Sequence, residues 1–355
     1  MNQYKKEVSH WAKQTSLLST LEGKTLLLSG AAGMVGKCLI DILMEHNTQA
    51  KPERKIHITA LSRNKERAKE RFAEYWNRKE FQYIACDVNT PIPECGQADY
   101  IIHAASNTHP MQYSQDAIGT IATNITGTQN LLEYAVTHKT KRFCFLSSVE
   151  IYGENRGDTE KFEETYLGYI NCNTVRAGYP ESKRLGEALC NAYHQTHSLE
   201  FVISRLSRVY GPTMLLTDSK AIAQFIKKAA EGNDIILKSE GNQKYSYTYV
   251  TDAASAILYT LLKGKTGEAY NAADEQSDIT LKDLAAHLAV QAGTRVLFQL
   301  PEETERRGYS PTTKGMLDAS RLKGIGWQPR VHIKEGLTDT VETIKDLKNK
   351  KEISE

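Results

Sequence analysis

Two groups of residues, far apart in the chain, have the types and spacing to do chemistry. Tyr179 and Lys183 in Tyr179-Pro180-Glu181-Ser182-Lys183 stand four positions apart, so a helix would put them on one face, one turn from each other. An ordinary phenol titrates near pH 10, which makes it a poor proton acceptor at neutrality. A neighbouring ammonium favours the phenolate and turns the pair into an acid/base for a hydroxyl proton. Ser148, in Ser147-Ser148-Val149-Glu150-Ile151-Tyr152-Gly153, adds a hydroxyl to hold a substrate oxygen, and Glu150 adds a carboxylate as a second acid/base. The other group is Gly30, Gly33 and Gly36 in Ser29-Gly30-Ala31-Ala32-Gly33-Met34-Val35-Gly36, preceded by the apolar run Thr25-Leu26-Leu27-Leu28. Glycines spaced this way between a strand and a helix allow a tight turn, close approach of backbone to a pyrophosphate, and helix–strand packing. Joined to a tyrosine acid/base, such a cradle describes hydride transfer with NAD or NADP.

These groups must be held by alternating strands and helices. Strands are expected at Thr25–Ser29, Lys55–Leu61, Phe81–Ala85, Tyr100–His103, Arg142–Ser147 and Phe201–Arg205, and helices at Met34–His46, Lys65–Lys79, Ile118–His138 and Pro180–His194. The pattern predicts an α/β fold, a Rossmann doubly wound parallel sheet with a smaller C-terminal α/β substrate-binding portion. Residues 1–22 read as a polar, partly helical lead-in and 23–212 as the dinucleotide-binding domain, with 248–272 returning to it. Residues 213–247 and 273–345 form the substrate-binding portion, and 346–355 a charged tail expected to fray.

Around the cradle, Met34 and Val35 open the first helix beneath the pyrophosphate. The second strand ends Ser62-Arg63-Asn64, with no acid for the ribose hydroxyls of NAD; Arg63 favours NADP instead. Asp87, followed by Val88, either accepts from the adenine amino group or forms the turn before Asn89-Thr90-Pro91. The tyrosines at 245, 247 and 249 alternate as on a strand, where they stack on a base or simply pack.

With 45 basic and 43 acidic residues, nothing global recruits nucleic acid or an anionic membrane. No apolar run reaches membrane-spanning length, and the N-terminus lacks the apolar stretch of a secretory signal. Six cysteines without paired CxxC spacing read as reduced thiols, hence a cytoplasmic protein, and neither the histidines nor the carboxylates group as metal ligands.

The glycine loop, His103-Ala104-Ala105-Ser106, Asn124-Ile125-Thr126-Gly127-Thr128, the serine segment, the Tyr-Lys pair, Val209-Tyr210-Gly211-Pro212, Tyr249-Val250-Thr251-Asp252 and Gly326-Trp327-Gln328-Pro329 together resemble the extended short-chain dehydrogenase/reductases of the nucleotide-sugar epimerase/dehydratase family. The resemblance implies oxidation of the sugar at carbon 4, followed by epimerisation, dehydration or decarboxylation. It implies Ala104, Ala105 and Asn124 as cofactor contacts, and Ser106, Arg176, Arg208 and Tyr245 as substrate contacts. Dehydratases of the family carry Asp-Glu where this chain has Val149-Glu150, so the chain is more similar to UDP-glucuronate decarboxylases. It departs in having Arg208 where family members have Asn, and Tyr245 where they have an arginine for the diphosphate; no arginine for a uronate carboxylate is evident near Lys314-Gly315. The resemblance also implies a homodimer through the helices at 118–138 and 180–194. Two alternatives are an NADPH-dependent carbonyl or keto-sugar reductase and a non-catalytic NAD(P)-binding sensor or assembly protein.

Overall fold

Short apolar runs become parallel strands here because helices cover both of their faces. The computed structural model describes residues 2–108, 115–299 and 313–354. Strands β1 (Thr25–Ser29), β2 (His57–Ser62), β3 (Phe81–Ala85), β4 (Tyr100–His103), β5 (Arg142–Ser148) and β6 (Phe201–Leu206) form one sheet with the later β10 (Ala269–Ala272). Their order is β10-β6-β5-β4-β1-β2-β3, with every neighbouring pair parallel. The order reverses between β1 and β4, the place where open α/β sheets bind ligands. Helices α3 (Met34–Gln49), α5 (Ala117–Thr137), α6 (Gly178–His197) and α8 (Val250–Lys263) connect or flank these strands, with α4 (Lys65–Arg71) between β2 and β3.

A second group of elements lies beyond β6. Strand β9 (Lys244–Tyr249) pairs with β7 (Arg208–Tyr210), β11 (Asp274–Thr280) and β13 (Lys314–Gly315), while β8 (Ile235–Leu237) pairs with β12 (Val296–Phe298). Helices α7 (Ala221–Ala230), α9 (Leu281–Ala292) and α11 (Ile333–Ser354) pack there around Phe225, Ile226, Leu284, Leu288, Leu337 and Val341, with the short α10 (Ser320–Gly324) between β13 and α11 in the chain. The stretch 300–312 of the expected substrate-binding portion lies outside the described residues.

Three segments differ from the sequence expectation. The lead-in is not merely polar: α1 (Gln3–Ala12) and α2 (Thr15–Leu18) bury Val8, Trp11, Leu17, Leu18 and then Leu21. Tyr4 donates to Asp41 of α3 at 2.5 Å, and Gln3 N–H donates to Asp339 of α11 at 2.9 Å, so α1 joins the first long helix to the last. The helix expected at 65–79 stops at Arg71, because Phe72 turns inward to meet Phe81 with ring centroids 5.3 Å apart. The charged tail continues α11 as far as Ser354; Leu337, Val341 and Ile344 give the helix a buried stripe that carries it outward, and Lys348 pairs with Glu231.

Candidate active site

The carboxyl ends of β1, β4 and β5 deliver the cradle, the strip and the serine segment, and a helix delivers the Tyr-Lys pair. At the end of β1 the chain turns through Gly30 with φ +70°, and a Cβ there would stand 2.6 Å from the Ala104 carbonyl. A Cβ on Gly36 would meet the Gly30 and Ala31 carbonyls at 2.6 Å, so α3 can approach the turn only with glycine at that position. No side chain caps the amino end of α3 at Gly33. Its first-turn N–H groups therefore face a bare cradle of the kind that takes a pyrophosphate, and the residues present fit a dinucleotide.

One cavity of about 1460 Å³ runs from this cradle across the sheet. At one end it is lined by Arg63 and Arg67, both exposed, around the α4 start, where Asn64 accepts from the Arg67 N–H at 2.8 Å. Arg67 was not singled out in the sequence; its signal was a second arginine one turn into the helix after Arg63. Asp87 and Val88 also line this end. The Asp87 carboxylate accepts the Asn89 N–H at 3.0 Å, as a turn-forming Asp does.

In the middle of the cavity lie Ala104, Ala105 and Ser106 from the strip after β4, with Ser148, Glu150, Tyr179 and Lys183. Asn124 does not reach the lining. It is fully buried behind the strip, accepting from Ser106 Oγ at 2.7 Å and donating to Ser182 Oγ at 2.9 Å. Tyr179 and Lys183 share the inner face of α6, both nearly buried, and Lys183 Nζ donates to the Leu146 carbonyl at 2.8 Å. Burial lowers the Lys183 ammonium to about 7, opposed in part by Glu187 one turn further on. Ser148 accepts from the Glu150 N–H at 3.3 Å and so caps the short 3-10 turn that presents Glu150.

Glu150 is held between two guanidinium groups. Arg176 reaches it at 2.7 Å and Arg208 at 3.4 Å. Arg208 also lies over the Tyr245 ring, 3.8 Å from its centroid. Burial raises the Tyr245 phenol, with Arg208 opposing. All four residues line the cavity. Beyond them the lining continues through Lys220, Phe225, Lys228, Lys238 and Gln243, a basic and aromatic end that the sequence reading did not single out. Its residues come from α7 and the β8–β9 connection, elements whose apposition only the fold reveals. Among the described residues, no group of His, Cys, Asp and Glu has metal-ligand geometry, no helix is long and apolar enough to cross a membrane, and the six cysteines are unpaired.

The profile of the NAD dependent epimerase/dehydratase family matches residues 26–273. UDP-glucuronic acid decarboxylase 3 of Arabidopsis thaliana is 29% identical over 315 residues, spanning 88% of this chain and 86% of that protein. Among solved structures, the dTDP-glucose 4,6-dehydratase of Streptomyces venezuelae, solved with NAD, aligns with a TM-score of 0.78 at 22% identity, covering 92% of this chain and 98% of that one. The UDP-glucuronic acid 4-epimerase of Bacillus cereus, solved with UDP-glucuronic acid and NAD, aligns with a TM-score of 0.76 at 22% identity, covering 91% and 99%. At that identity the two structures establish a shared fold.

Proposed function

Because the chain belongs to the NAD dependent epimerase/dehydratase family, we propose that it modifies a nucleotide sugar by oxidation at carbon 4, with decarboxylation or epimerisation ahead of dehydration. The observation that carries this reading is a single cavity holding the glycine cradle, the Ser148, Tyr179 and Lys183 set, and the Arg176–Glu150–Arg208 cluster.

Bound in the cradle, NAD or NADP supplies the hydride acceptor. Tyr179 takes the proton of the carbon 4 hydroxyl, and Ser148 holds that oxygen beside it. A phenolate beside it draws Lys183 toward its charged form, and the ammonium, together with a positive nicotinamide when one is bound, would lower the Tyr179 pKa. Arg208, stacked on Tyr245, and Arg176 set two guanidinium groups within the sugar end of the cavity, where an anionic substituent or a phosphate would be matched bidentately. A ketone at carbon 4 makes a carboxylate at carbon 6 a β-keto acid, which loses carbon dioxide. The relative and one structural neighbour act on or bind UDP-glucuronic acid, which supports a uronate as the first substrate to try. Val149, nearly buried and apolar, leaves no acid beside Glu150 for a departing hydroxyl, against dehydration.

Arg63 and Arg67 at the adenosine end, where the residues directly after β2 are Arg63 and Asn64 and the first acid is Glu66, support NADP over NAD. The same observation supports a second reading, a reductase that consumes NADPH once per turnover. We place the protein in a reducing compartment such as the cytoplasm, in keeping with six unpaired thiols.

The test is to denature the purified protein, identify any released dinucleotide by mass spectrometry, and then supply UDP-glucuronic acid. Retained oxidised cofactor with a decarboxylated or epimerised product is the expected result. Stoichiometric NADPH oxidation with a keto substrate would replace it with the reductase reading.

A further inference from the structure

Behind the cofactor strip runs a continuous buried hydrogen-bond chain. Ala105 N–H donates to Ser29 Oγ at 3.3 Å, Ser29 Oγ meets His103 Nδ1 at 2.7 Å, and His103 Nε2 meets Thr128 Oγ1 at 3.0 Å. Thr128 Oγ1 donates to the Asn124 carbonyl at 2.5 Å. These contacts fix every proton. Thr128 spends its single O–H on Asn124, so it must accept from His103, which carries its proton on Nε2. His103 Nδ1 is then an acceptor for the Ser29 O–H, leaving Ser29 Oγ to accept from Ala105. A second branch starts at Asn124, whose side chain accepts from Ser106 Oγ and donates to Ser182 Oγ; Ser182 Oγ donates to the Tyr179 carbonyl at 2.9 Å.

His103 is the joint between the two sides. It is 1% exposed at the end of β4, its ring 5.8 Å from the Phe145 ring, while Lys183 Nζ lies 4.9 Å from that same Phe145 ring. Burial, with the nearby Lys183, lowers its pKa to about 3, in keeping with the neutral ring that the hydrogen bonds require. On one side it grips β1 and the strip that the Gly30 turn touches; on the other it grips α5, which is tied to the first turn of α6.

We propose that His103, with Ser29 and Thr128, is a positioning residue that fixes the distance between the dinucleotide cradle and Tyr179. The proposal rests on the reading of Tyr179 as the acid/base. Its chemistry is geometric: the ring transmits no proton and touches no substrate. A loosened joint lets the cradle and the catalytic helix drift apart by a fraction of an ångström, and reaction rates are steep in such displacements.

The experiment compares full-length wild type with Thr128→Val, His103→Gln, which keeps a donor toward Thr128, and His103→Leu, which keeps neither bond. NADH and NADPH are titrated by nicotinamide fluorescence, the anisotropy of the bound ring is read, and turnover of UDP-glucuronic acid is followed over pH. Expected are near-normal cofactor affinity and KM, kcat lower by roughly 10- to 100-fold in His103→Leu and Thr128→Val, a smaller loss in His103→Gln, lower ring anisotropy, and an unchanged pH profile. Loss of affinity and kcat in equal measure would reduce His103 to a packing residue, and loss of a limb of the pH profile would make it a proton carrier; either overturns the proposal. Should His103→Leu fail to fold, Thr128→Val decides. If wild type does not turn over UDP-glucuronic acid, the choice of a uronate substrate falls separately, and the anisotropy of bound NADH or NADPH settles this one.

Discussion

The Arg208 guanidinium lies over the Tyr245 ring, 3.8 Å from its centroid, while reaching the Glu150 carboxylate at 3.4 Å. The ring holds the guanidinium by its face, and the carboxylate fixes its direction. Arg208→Ala is expected to raise KM for a nucleotide sugar by about tenfold or more, from loss of charge-assisted bonds. Arg208→Lys keeps the charge without the plane and should recover only part of this. Tyr245→Phe keeps the ring and should stay within about twofold of wild type. Steady-state kinetics on the three variants checks the order.

Tyr179→Phe removes one hydroxyl from a nearly buried ring and leaves the cradle untouched. Turnover should fall by about 10²- to 10⁴-fold with cofactor binding preserved. Appearance of reduced-nicotinamide absorbance on adding nucleotide sugar to the holoenzyme reads the half-reaction directly.

Lys183 and Asp252 give the cofactor-free protein opposite pH dependences. For Lys183 the folded value of about 7 lies below the ordinary 10.5, so the unfolded chain binds more protons between them and stability rises with pH across that window. Lys183→Met should flatten the rise, seen as the midpoint of urea unfolding between pH 7 and 10.

Asp252 is fully buried, accepting the N–H groups of Arg330 and Val331 at 2.9 Å, and burial raises its carboxyl from 3.8 to about 7. Here the folded state binds more protons in the window, so stability falls as pH climbs from about 4 to 7. Asp252→Asn keeps a carbonyl for the N–H groups and should remove that slope, on the order of a few kcal/mol at its limit.

Arg63→Ala with Arg67→Ala tests the adenosine end. NADP affinity should drop by about tenfold or more while NAD affinity changes little, measured by titration of the purified protein.

A dimer through α5 and α6 would cover Ile121, Val175 and Leu185, which stand 37%, 63% and 44% exposed around a shallow groove between these helices. Ile121→Glu with Leu185→Glu should give a monomer by analytical ultracentrifugation, with the far-ultraviolet circular dichroism unchanged.

What the sequence made legible was whatever backbone geometry or helical period alone determines. Gly30 and Gly36 could be read because a Cβ at either place would strike backbone. Tyr179 and Lys183 could be read because a spacing of four fixes their common face. Asn124 sits on a helix that was correctly located, yet which side of α5 meets the cavity depends on α6, so its burial behind Ser106 was out of reach. The Glu150 pairing was likewise hidden: Arg176 and Arg208 are 26 and 58 residues from it, and the parallel register of β5 with β6, with Ser148 opposite Leu206, is what carries Arg208 to its side. The lead-in looked polar because its apolar residues are few, though Trp11, Leu17, Leu18 and Leu21 are all spent inward.

The junction of α1 with α11 has a consequence for biosynthesis. Gln3 binds Asp339, 336 residues later, and Glu7 binds Arg330, 323 residues later. At the usual rates of synthesis, the first helix emerges roughly tens of seconds before its final partner exists. Until then Trp11 and its apolar neighbours can settle only on α3 and α8, so the first helix completes its contacts only after α11 has been made.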